Sequence, residues 1–68
     1  MKISSNWSTY SQLATIYYFL RDYQNALENY DKALMINPNN YEDYVQRGNV
    51  YFESRDAENA LKNFDKAI

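Results

Sequence analysis

Apolar residues recur along this chain at steps of three and four, in four stretches separated by short polar breaks. Trp7, Tyr10, Leu13, Ala14, Tyr17 and Tyr18 share one face of a helix at that spacing. After the break at Arg21-Asp22, Tyr23, Ala26, Leu27, Tyr30, Ala33 and Leu34 make a second stripe. Tyr41, Tyr44, Val45, Gly48, Tyr51 and Phe52 form a third, and Ala57, Ala60, Leu61, Phe64, Ala67 and Ile68 a fourth. The pattern predicts four helices over roughly 7–20, 23–36, 41–54 and 57–68. Start signals agree. Asp22, Asn40 and Asp56 each precede a stripe and can accept the free amide hydrogens of a first helical turn. Pro38 lacks an amide hydrogen and pushes Asn37 out of helical geometry, so the second helix stops there.

The third and fourth stripes are the first two written again. Residues 7–34 align without gaps to residues 41–68 at an offset of 34, with twelve identical pairs in 28 positions. Among these are Tyr10 and Tyr44, Arg21 and Arg55, Asp22 and Asp56, Ala26 and Ala60, and Asp31 and Asp65. Tyr18 matches Phe52, Tyr30 matches Phe64, and Leu34 matches Ile68, so the mismatches also keep their character. The chain is a duplicated helix-turn-helix unit.

A 34-residue helical pair with this distribution of small and large residues resembles the tetratricopeptide repeat. The first unit carries Tyr10, Leu13, Ala14, Tyr17, Ala26, Tyr30, Ala33 and Pro38 at the places of the family pattern. The second carries Tyr44, Arg47, Gly48, Tyr51, Ala60, Phe64 and Ala67. The resemblance implies an all-α fold, an α-solenoid of two antiparallel helix pairs stacked in a right-handed superhelical sense. It implies one domain over 1–68, with repeat 1 at 7–40 and repeat 2 at 41–68 lacking the helix that caps such arrays. Ala26 and Ala60 are expected where neighbouring helices approach most closely.

Three residues depart from the family pattern. Arg21 and Arg55 stand in the interhelical turn where glycine is usual, at an expected cost on the order of 1 kcal/mol each if that backbone is left-handed. Arg47 falls on the inner face where repeat 1 has Leu13. Its stem is expected to pack while its head reaches water or a nearby carboxylate; a polar contact with a partner chain is the alternative.

Composition narrows the chemistry. The 68 residues contain no cysteine and no histidine, which excludes disulfides, thiolate sites and imidazole catalysis. A net charge of −2 offers no footprint for nucleic acid or anionic lipid. No apolar run suits a membrane span, and the first residues lack the apolar core of a signal peptide, so a cytoplasmic protein is expected. Asp22, Asp31, Asp56 and Asp65 recur with the repeat, which fits capping and solvated faces better than acid–base or metal chemistry. No phosphate loop, nucleophile motif or zinc set is present, and no catalytic residue, cofactor or metal is expected. Asn6-Trp7-Ser8 matches the glycosylation tripeptide and reads as a coincidence at a helix start.

The resemblance implies a protein–protein interaction scaffold that holds a peptide or partner protein in the concave surface of each repeat's first helix. Ser8, Ser11, Gln12, Thr15, Tyr18 and Phe19 would line it in repeat 1. Glu42, Val45, Gln46, Asn49, Phe52 and Glu53 would line it in repeat 2. Cationic clamps for a carboxylate tail are absent from these positions, so a neutral or basic ligand fits better. The alternative is self-association. Repeat arrays need about three units to stand alone, and Leu61, Phe64 and Ile68 share a face that a further repeat, or a second copy in a homo-oligomer, would cover.

Overall fold

The computed structural model describes residues 7–68 and contains four helices: α1 (Trp7–Phe19), α2 (Tyr23–Ile36), α3 (Tyr41–Glu53) and α4 (Ala57–Ala67). These fall within one residue of the ranges that the apolar spacing predicts. Asn6 of the glycosylation tripeptide lies outside the described residues.

Each helix after the first begins on the residue expected to cap it. The Asp22 and Asp56 carboxylates accept from the amides of Asn25 and Asn59, three residues on, and the Asn40 side chain accepts from the amide of Glu42. The turns at 21 and 55 adopt the left-handed geometry expected of a glycine, with φ of 63° at Arg21 and 68° at Arg55. The strain is offset by backbone bonds across the turn. Asp22 donates to the carbonyl of Tyr17 at 2.9 Å, and Asp56 donates to that of Tyr51 at 2.7 Å.

α1 packs along α2 and α3 along α4, as two antiparallel pairs, and α3 packs in turn on α2. Ala14, Ala26, Tyr30 and Val50 form the buried centre, with Tyr17, Tyr18, Tyr23 and Leu27 packed around it. Ala26 and Ala60 are both buried, as close helix contacts require. Repeat symmetry reaches the surface as well. Lys32 lies 5.6 Å from the ring centre of Tyr10, and Lys66 lies 6.0 Å from that of Tyr44.

The two units differ in how their second helix is covered. Leu34, on α2, is 6% exposed, whereas Ile68, its counterpart after α4, is fully exposed. Leu27 packs on the core, while its counterpart Leu61 is 63% exposed. Arg47 behaves as the packing reading expects. It bonds to Asp31 of α2 at 3.0 Å and lies 5.8 Å from the Tyr51 ring centre.

Candidate functional site: the groove between the first helices

The expected ligand-facing residues occupy two helices side by side. On α1, Ser8, Ser11, Gln12, Thr15, Tyr18 and Phe19 follow the three- and four-residue steps that keep one face in line, and Glu42 to Glu53 do the same on α3. Seven of the twelve line one open groove of about 830 Å³: Ser8, Ser11, Gln12 and Thr15 from α1, and Glu42, Val45 and Gln46 from α3. The groove also takes in Ile16, Tyr30, Asn40, Tyr41 and Asp43. Tyr18, Phe19 and Glu53 line a separate, smaller hollow with Arg21 and Tyr23. Asn49 and Phe52 line neither; Phe52 is exposed and Asn49 half-buried.

The floor of the main groove is a hydrogen-bonded set that sequence spacing does not reveal. Ser11 donates to the Asp43 carboxylate, its Oγ lying 2.7 Å and 2.8 Å from the two oxygens. Asn40 donates to the same carboxylate through Nδ2 at 3.1 Å. Thr15 donates to the Ser11 carbonyl at 2.9 Å and shares a 3.1 Å hydrogen bond with the Tyr30 hydroxyl. This network ties α1, α2 and the start of α3 together beneath the groove. Ser11 and Thr15 are therefore half-buried floor residues, less open to a ligand than the exposed Gln12.

Asp43 is only 3% exposed and takes part in no ion pair among the described residues. Burial pushes its carboxyl above the ordinary carboxylate value; the Ser11 hydroxyl works against that shift, and neighbouring Glu42 adds to it. Its position in the first turn of α3 offers the anion the partial positive charge of a helix start. Burial also raises the Tyr30 hydroxyl. At the far end Tyr18 donates to Glu53 at 3.1 Å, and its hydroxyl is raised by burial first and by that carboxylate second.

The upper walls are apolar. Ile16 is 55% exposed, and Tyr41 and Val45 are also open to solvent. Among the described residues no cluster of three or more metal-ligating side chains occurs, and no helix is long and apolar enough to cross a membrane.

The stripe expected to mediate self-association divides in two. Phe64 turns its ring onto Gly48 of α3 and is half-buried, because a residue without a β-carbon lets the ring close in. Leu61 and Ile68 remain open.

Residues 7–40 and residues 44–68 each match the tetratricopeptide repeat. The chain belongs to the tetratricopeptide repeat family, and the period, the paired helices and the small residues at their contacts are the physical content of that membership. Repeats of this family generally serve as non-catalytic protein–protein interaction modules. No curated protein matches the chain.

Proposed function

We propose that the chain is a non-catalytic binding module that holds an extended peptide, or an extended segment of a partner protein, in the groove between α1 and α3. The observation that carries this reading is the composition of that groove. Exposed apolar walls (Ile16, Tyr41 and Val45) stand over a floor of hydroxyl, amide and carboxylate groups. An apolar cleft with a few fixed polar groups is the general form of a ligand site. The Ser11–Asp43 and Thr15–Tyr30 bonds hold that floor in place before any ligand arrives, which lowers the ordering cost of binding.

The test is selection from a random displayed peptide library, followed by a variant that fills the groove. Gln12→Trp places bulk in the cleft at an exposed position. The selected peptides should lose binding to that variant and keep it in Leu61→Lys, with melting temperatures unchanged in both. Peptides that bind Gln12→Trp as well as wild type would exclude the groove as the site.

A second reading, association through α4, is supported by one asymmetry. α2 packs on α3 as well as on α1 and its Leu34 is buried, whereas α4 packs on α3 alone among the described residues and Leu61 and Ile68 are exposed. The occupant that this asymmetry suggests is a helix resembling α3, from a neighbouring repeat or a second copy. Sedimentation distinguishes the two cases: self-association gives a mass that rises with concentration and falls back in Leu61→Lys.

A further inference from the structure

Resting on the groove reading, we infer that the ligand is a basic segment: an extended peptide that presents lysine or arginine to the α3 wall and apolar side chains to Ile16 and Val45. Charge complementarity within one cavity carries the inference. Of the groove's described lining residues only Glu42 and Asp43 carry formal charge, and both are acidic. Glu42 stands exposed at the rim, where a cation can meet it directly. Asp43 sits below, buried and held by the neutral donors Ser11 and Asn40. A carboxylate bonded to neutral donors keeps its negative field, and a buried charge such as Asp43 is screened less than one at the surface. Burial works against this charge, so a cation arriving above it relieves the carboxylate as well as gaining a partner.

The preference is confined to this groove. The smaller hollow near Tyr18 contains Arg21 as well as Glu53 and is balanced in sign. Arg47, the cation nearest in sequence to the groove's α3 wall, is engaged elsewhere, bonded to Asp31. An acidic peptide would meet two carboxylates, with no cation among the described lining residues to receive it. A neutral peptide would keep the apolar contacts and lose the charge term.

The experiment uses three short capped peptides that share one leucine–serine frame and differ only in whether lysine, glutamine or glutamate fills the variable positions. Affinity is read by fluorescence anisotropy at low and physiological salt, and the site by amide chemical shifts of the full chain. The lysine peptide should bind about tenfold more tightly than the glutamine peptide at low salt, with the glutamate peptide weaker still. Added salt should narrow the difference. Glu42→Gln, at an exposed position, should weaken the lysine peptide about fivefold and leave the glutamine peptide unchanged. Equal affinity for all three peptides, with shifts in α1 and α3, would overturn the basic preference while leaving the groove reading intact. Tighter binding of the glutamate peptide at that site would do the same. Shifts confined to α2 and α4, or no binding by any of the three, would overturn both.

Discussion

Phe64 of α4 packs on Gly48 of α3: its ring lies 2.7 Å from where a β-carbon on residue 48 would stand. In repeat 1 the matching residues are Ala14 and Tyr30, both fully buried. The second repeat thus joins a smaller residue on one helix to a ring on the other. Gly48 has no positive φ, so the need for glycine here is one of space.

That contact predicts a coupling. In an open helix, Gly→Ala gains about 1 kcal/mol from propensity. In this chain Gly48→Ala forces the Phe64 ring aside and should instead destabilise by roughly 1 kcal/mol. Made in a Phe64→Ala background, the same change should stabilise. Denaturant melts of the four proteins give the coupling, and the same sign in both backgrounds would show that the ring does not lie on residue 48.

Arg21 and Arg55 hold left-handed backbone. A side chain there costs about 1–2 kcal/mol, partly offset in a glycine variant by the looser unfolded chain. Arg21→Gly and Arg55→Gly should each raise stability by up to about 1 kcal/mol, whereas the β-branched Arg55→Val should lower it. Thermal melts check both directions.

The ion pair between Arg47 and Asp31 is half-exposed, and the Arg47 Nε is buried without a partner. A pair of this kind contributes little, and its broken form leaves a cation poorly served. Arg47→Met should therefore be close to neutral, while Asp31→Ala should cost up to about 1 kcal/mol. A larger loss from Arg47→Met than from Asp31→Ala in urea melts would reverse that assignment.

Asp43 and Asp56 titrate in opposite senses. Asp43's folded value is raised, chiefly by burial, so its ionised form opposes folding; that penalty lifts as pH falls through the raised value towards the ordinary 3.8. Asp56 is lowered, first by the Asn59 side chain and then by its backbone amide. Its contribution is present above 3.8 and is lost as pH falls through its folded value. Wild type should therefore gain stability relative to Asp43→Asn as mildly acidic pH approaches 3.8 from above, and lose it relative to Asp56→Asn below that point. Stability measured across the acid range for the three proteins gives both slopes; a flat difference for Asp43→Asn would mean that its carboxyl is not desolvated.

Helix ranges, caps and the strained arginines were legible in the sequence because each is a local matter of period, side-chain length or turn geometry. The role of Asp43 was not. An acidic residue in a first helical turn reads as solvated and favourable to the helix dipole. It is buried in the fold, where Ser11, 32 residues earlier on another helix, reaches its carboxylate. Repeat alignment gave no hint, since the residue matching Asp43 is Thr9 and the residue matching Ser11 is Val45. The spacing of Phe64 with Leu61 and Ile68 places it on an outer stripe. A half-buried ring at the edge of such a stripe is decided by its neighbour across the helix pair, and that neighbour is Gly48.

The proposed binding takes place between α1 and α3. It is tested most directly by mapping amide chemical shifts of the full chain while the lysine-bearing peptide is titrated in. The groove predicts the largest movements at Gln12, Thr15, Glu42, Val45 and Gln46, with the exposed Met35 of α2 and Leu61 of α4 unmoved. Movements centred on Met35 and Leu61, with the α1–α3 groove silent, would contradict it.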